Sequence, residues 1–240
     1  MRVILKPAGL LFVIGVLVIL SSVIYSRRKK EEIARMPETG VIAGFESKKK
    51  NAAGGAPKNA LFQTRDAVKP VDLTAVGKLD WVHWGHPDNQ SVNRKATARK
   101  WIGDMTLLQP GVGIRKEGER GPSRGVSWSD GAPTRKIDVV YSGLFVSETN
   151  GFRFDVAADA TPRKLHVYTG GYQAGGTLKV KLSDGSKPIV TPTEAALASG
   201  YYARAYTIAF QAKSPAQKLT VEWAKTSGPG NVSLQAAALE

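Results

Sequence analysis

The sequence predicts an all-β domain, an antiparallel β-sandwich of jelly-roll type, preceded by a single transmembrane helix and a flexible linker. Three observations predict it. An uncharged run rich in Leu, Ile and Val extends from Pro7 to Ser26. A polar, basic stretch without a sustained period follows it. From Val71 onward, short runs of alternating apolar and polar residues are separated by turn dipeptides. The pattern divides the chain into an anchor over residues 1–30, a linker over 31–68 and a β domain over 69–240.

The anchor comes first. Twenty uncharged residues in a helix rise about 30 Å, the thickness of a bilayer core. No polar face interrupts the run, which excludes an interfacial amphipathic helix. A cleaved signal peptide is the competing explanation, because Arg2 and Lys6 form a basic leader. Against cleavage, the apolar run exceeds a usual signal core, and Ser21 to Ser26 offers no clean small-x-small site. Arg27-Arg28-Lys29-Lys30 then follows at once, as in a stop-transfer flank. These flanking charges favour a cytoplasmic C-terminal domain. The β domain is of a type expected outside the cell, so the expected location is the outer side of the cytoplasmic membrane, against the charge rule.

The charge run from Arg27 to Glu32 leads from the anchor into the linker, which holds the triplet Lys48-Lys49-Lys50 and the small-residue stretch from Ala52 to Pro57. Such a composition buries too little apolar surface to fold alone, and it suits a tether. The formal charge is +14, with 12 Lys and Arg against 5 Asp and Glu in residues 1–68, and 22 against 15 thereafter. That excess suits anionic lipid, anionic envelope polymer or nucleic acid; a solvated linker with membrane-flanking charge explains it more simply. No nucleic-acid module is present, so no nucleic-acid partner is expected. The chain has no cysteine, which excludes a disulfide, a thiolate metal site and a cysteine nucleophile.

The β domain follows. Its runs include Leu79 to Trp84, Gly125 to Ser129, Ile137 to Phe145, Phe152 to Val156, Leu165 to Tyr168 and Leu178 to Leu182. Tyr206 to Phe210, Leu219 to Trp223 and Val232 to Ala236 complete about nine. Five to nine residues suit strands, and strict alternation predicts one wet and one buried face. Asp130-Gly131 and Asp184-Gly185 are turn signals. Without crossover helices a parallel α/β fold is excluded; Thr193 to Ser199 is the one short helix candidate.

Several motifs recur in order: Leu79-Asp80-Trp81-Val82-His83-Trp84-Gly85, Asn93-Arg94-Lys95, Val126-Ser127-Trp128-Ser129-Asp130-Gly131, Leu165 to Tyr172, Leu178 to Ser186, and Gly230 to Ala236. Over about residues 70–239 this resembles a bacterial β-sandwich of the galactose-binding-like, carbohydrate-binding-module type. The resemblance implies a jelly roll and glycan binding, and it implies no catalytic residue.

The residues themselves single out few sites. His83-x-x-His86 has metal-pair spacing, but on a strand its side chains face opposite ways and no acidic or cysteine partner sits at ligand spacing. No cofactor is expected, and no oxygen-rich cluster demands a structural calcium. The polar loop from Arg115 to Arg124 lacks the helix a phosphate loop needs. No nucleophile elbow or glycosidase carboxylate pair occurs, so no enzyme is expected. Each of the five tryptophans is a core residue or a sugar platform. Period two puts Trp81 inside with Leu79 and turns Trp84 to the other face, beside the loop His86-Pro87-Asp88-Asn89. Trp84, His86, Asn93, Arg94 and Tyr172 are therefore the candidate ligand residues. The expected function is a membrane-anchored, non-catalytic module that binds a glycan or cell-envelope polymer. The alternative is a structural or assembly subunit whose sandwich packs against a protein partner.

Overall fold

Phe152-Arg153-Phe154-Asp155-Val156 shows how the domain is built. Phe152, Phe154 and Val156 are buried, while Arg153 is exposed and Asp155 half-exposed. Such strands pair only if the apolar face meets a second sheet. The computed structural model describes residues 60–65, 70–110, 113–116, 125–186 and 193–240. The expected anchor over 7–26 and most of the linker lie outside the described residues. Among the described residues no helix is long and apolar enough to cross a membrane.

In chain order the elements are β1 (Ala60–Arg65), β2 (Val71–Asp72), α1 (Leu73–Val76), β3 (Asp80–Trp84), β4 (Val92–Lys95), β5 (Thr106–Leu107), β6 (Arg115–Lys116), β7 (Val126–Trp128) and β8 (Gly131–Ala132). Then come β9 (Ile137–Val140), β10 (Leu144–Val146), β11 (Gly151–Ala158), β12 (Arg163–Tyr172), β13 (Gly175–Leu182), β14 (Thr193–Glu194), β15 (Tyr201–Phe210), β16 (Gln217–Ser227) and β17 (Asn231–Leu239). The large sheet runs β1-β15-β12-β17-β3-β4-β8, with β10 also beside β17 and β6 beside β10. A second sheet runs β14-β13-β16-β11-β5, and a third β2-β7-β9. All pairs are antiparallel except β2 with β7.

The large and second sheets face each other across the main core. Trp84, Tyr206, Ile208 and Leu239 come from one side, and Phe152, Leu178, Val221 and Trp223 from the other. This is the expected all-β sandwich. The third sheet and α1 add a layer on the opposite face of the large sheet. There Trp81, Tyr168, Ala236 and Ala238 meet Leu73, Val126, Trp128 and Val140. The expectation of one wet face per strand fails at this centre: β3 is buried throughout, and β17 from Val232 to Leu239.

Three further expectations are corrected. Strand β1 falls inside the stretch expected as linker and pairs along β15 from Ala60↔Ala209 to Arg65↔Arg204. The segment 193–199 is no helix, because Thr193–Glu194 pairs with β13. The run expected from Leu165 to Tyr168 is longer, since β12 continues through Gly170-Gly171 to Tyr172 between β15 and β17.

Asp130 ties the third layer down. Its Oδ1 accepts from Thr74 Oγ1 at 2.6 Å and from Trp81 Nε1 at 2.9 Å, and its Oδ2 from Lys95 Nζ at 2.5 Å. Burial pushes the carboxyl pKa up, but the bonds from Lys95, Thr74 and Trp81 outweigh it and hold the group below its ordinary value. The turn residue of the sequence is thus also the anchor point of α1 to the large sheet.

Candidate functional site

Four of the five tryptophans are at most 1% exposed, and Trp101 is the exception, half-buried. Trp101 lies in no alternating run. Distant groups hold its segment instead. Asp80 Oδ2, buried at the start of β3, accepts from Trp101 N and Ile102 N, both at 2.9 Å. Arg94, on β4, donates to Ile102 O at 2.7 Å, Gly103 O at 3.0 Å and Asp104 Oδ1 at 3.0 Å. The segment then pairs with the margin of β11, through Gly103 N to Asp155 O at 2.7 Å and Ala157 N to Trp101 O at 2.9 Å. Ile102 plugs into the core beside Val156.

A groove of about 490 Å³ opens between this segment and the outer face of the second sheet. Trp101, Lys100 and Asp104 line one wall, and Arg153, Asp155 and Lys218 the floor. Period two sends Arg153 and Asp155 outward because their neighbours Phe152, Phe154 and Val156 fill the core. Two guanidinium groups lie over the indole, Arg163 at 4.4 Å and Arg99 at 4.5 Å from the ring centroid. Arg163 is fixed by Asp159 through bonds of 2.6 and 2.9 Å. Arg99 is exposed and makes no ion pair with any described residue.

The groove's carboxylates are engaged. Asp104 binds Lys100 at 2.6 Å as well as Arg94, and the Lys100 bond is the main cause holding its pKa below the ordinary carboxylate range. Asp155 accepts from Thr220 Oγ1 at 2.7 Å and lies 3.6 Å from Lys218. An ionised, paired Asp104 accepts hydrogen bonds and does not deliver a proton at neutral pH.

The residues singled out by sequence do not converge. Trp84 is 1% exposed and packs on Phe154 at 5.4 Å between ring centroids, so its ring is closed to any ligand. Trp81 and Trp84 do face opposite ways, but both faces of β3 are covered. Asn93 is buried; it donates to His86 O at 2.7 Å and accepts from Thr134 N at 3.0 Å. His86 sits beside His83 and Trp128, each at 6.4 Å between ring centroids. The expectation that His83 and His86 diverge is corrected, because β3 ends at Trp84 and Gly85, at φ +86°, turns the chain. Among the described residues no group of three or more metal-ligating side chains comes together. Tyr172 stacks on Tyr201 at 4.5 Å, on the large sheet and away from the groove. None of the five candidates lines the groove; Arg94 alone bonds residues that do, as the clamp behind Gly103 and Asp104. Sequence reasoning named Trp101 only among the five and missed Arg153, Asp155 and Lys218. A tryptophan outside any alternating run, flanked by Arg99, Lys100 and Asp104, was the available signal.

No family model matches the chain, and no curated protein does. Solved structures do match. A carbohydrate-binding module of family 61 in complex with β-1,4-galactotriose is 13% identical, with a TM-score of 0.37 over 57% of this chain and 87% of that one. The modules of a Clostridium thermocellum endo-1,4-β-D-xylanase complexed with xylohexaose are 12% identical, with a TM-score of 0.36 over 57% of this chain and 26% of that one. The enzymatically active domain of a bacteriophage CBA120 tailspike protein is 8% identical, with a TM-score of 0.36 over 59% of this chain and 20% of that one. Binding modules and an enzyme domain match alike, and at these scores the likeness carries no functional argument.

Proposed function

We propose that the domain is a non-catalytic binding module whose ligand, a glycan or another cell-envelope polymer, lies in the groove beside Trp101. The observation that carries this reading is Trp101 itself. It is the one tryptophan that reaches solvent, and it does so as the wall of an open groove floored by polar side chains. A flat apolar ring beside fixed donors and acceptors is the chemistry that a sugar ring, with its apolar face and hydroxyl rim, requires. Displacing the exposed Arg99 guanidinium frees ring surface for stacking, while Arg153, Asp155 and Gln217 meet hydroxyls. The paired state of Asp104 and Asp155 favours binding over acid–base chemistry. The N-terminal apolar segment holds the module at the outer side of the cytoplasmic membrane, and the basic linker gives it reach.

Trp101→Ala tests the reading. In detergent-solubilised full-length protein, affinity for the best-binding glycan of an array should fall by about 1–3 kcal/mol, the scale of losing an aromatic hot spot. Circular dichroism should still show the β spectrum. Unchanged affinity in a folded variant would remove the groove from consideration.

A further inference from the structure

The groove continues onto a charged sheet face. On the second sheet, Lys179 stands opposite Glu222, which stands opposite Arg153. One pair along, Lys181 stands opposite Thr220, which stands opposite Asp155. All six point away from the core, because Leu178, Val180, Leu182, Val221, Phe154 and Val156 alternate with them inward. The two carboxylates are already answered: Glu222 lies 3.7 Å from Arg153 and Asp155 lies 3.6 Å from Lys218. Lys179 and Lys181 are exposed and pair with no described residue. At the rim, one carboxylate, Asp104, serves two cations, Lys100 and Arg94. The balance on this face is positive.

We propose that the ligand of this groove is an acidic polysaccharide of the polyuronate class, whose chain leaves Trp101 and crosses β11, β16 and β13 to Lys179 and Lys181. This deepens the glycan-binding reading and rests on it. The lysines lie about 7 Å apart along β13, at roughly 3.4 Å per residue, and about 10 Å from Arg153, two strand spacings away. A carboxylated sugar chain fits such a lattice, since its hydroxyls lie between its charges and donate to Glu222 and Asp155. A nucleic-acid strand fits it less well. Its phosphates, with no hydroxyls between them, would meet Glu222 between Lys179 and Arg153, and Asp155 beside Lys218. The attraction of exposed lysines is screened by salt, so the preference for acid is salt-dependent.

The test is calorimetry on detergent-solubilised full-length protein at about 50 mM salt. The probes are oligogalacturonate, its fully methyl-esterified form and a single-stranded oligonucleotide of matched charge. Oligogalacturonate should bind about tenfold more tightly than the ester, as expected for two exposed charge contacts. The preference should shrink at about 500 mM salt. It should disappear in the Lys179→Gln/Lys181→Gln variant, which keeps the affinity for the ester. Equal affinity for acid and ester would overturn the inference and leave the glycan reading standing. Tighter binding of the oligonucleotide than of either sugar would overturn it in favour of a nucleic-acid strand. Binding of neither sugar would overturn the inference, and the glycan array with Trp101→Ala would then decide the reading beneath it.

Discussion

His83 is a buried base whose protonation should weaken the fold over a defined pH range. Its ring is 0% exposed between β3 and the third layer, 5.2 Å from Trp128. Nε2 donates to Ser142 O at 3.0 Å, and Nδ1 has no hydrogen-bond partner among the described residues. Burial lowers the pKa from 6.5 to about 3; the Ser142 bond acts the other way, and His86 and Lys116 nearby add to the lowering. The unfolded chain therefore binds a proton at this site that the folded chain refuses. The stability is fully present above pH 6.5 and is lost as pH falls toward 3. At about 1.4 kcal/mol per pH unit, roughly 2–3 kcal/mol should go between pH 6.5 and about 4.5. His83→Gln keeps a donor for Ser142 O and does not titrate. Urea unfolding of both proteins across this range is the assay, and the difference between the two curves is the quantity read. It removes the opposing contribution of Asp80, whose pKa burial raises, and the parallel contribution of His166, whose pKa burial lowers. The variant's disadvantage at pH 7 should shrink by roughly 2–3 kcal/mol at pH 4.5. Parallel curves would refute the reasoning, since they would mean that the folded protein takes up the proton freely.

Asp80→Ala should cost about 2–5 kcal/mol in urea unfolding, because two backbone N–H groups at Trp101 and Ile102 lose their acceptor. It should also abolish groove binding, and a variant with wild-type affinity would show that Asp80 does not position Trp101. Trp81→Ala and Trp84→Ala should each destabilise the fold by about 3–5 kcal/mol, since each empties a separate core. Either one leaving the melting temperature unchanged would contradict the three-layer packing. Gly85→Ala should cost about 2 kcal/mol or more, because the position has φ +86° and the new Cβ would stand 2.6 Å from Gly143 O. A thermal melt within a degree of wild type would refute it.

The strand Phe152 to Val156 was legible because it has one wet face, and so were Leu178 to Leu182 and Leu219 to Trp223. Period two is readable only where the two faces meet different solvents. Ala236-Ala237-Ala238 carries no such contrast, since Ala237 meets the main core and its neighbours the third layer. The five-residue run of β3 misled for the same reason. Its alternation told correctly that Trp81 and Trp84 part company, and nothing local told that a third sheet covers the far side. That sheet forms by pairing Val71 with Val126 and Val126 with Val140, contacts distant in sequence.

The sequence by itself determined the all-β class, the bend at Asp130, the turn at Asp184-Gly185, and the faces of strands with one wet side. These follow from local propensity and period, which act over a few residues. Only the tertiary structure decided which aromatic is open to a ligand. Trp84 looked free by its position beside a loop and is sealed by Phe154 from another sheet. Trp101 looked unremarkable and is held at the rim by Asp80, 21 residues away in the chain, and through the carbonyl of Ile102 by Arg94. Exposure is a property of what packs across the gap, and the sequence of one strand does not contain its neighbour.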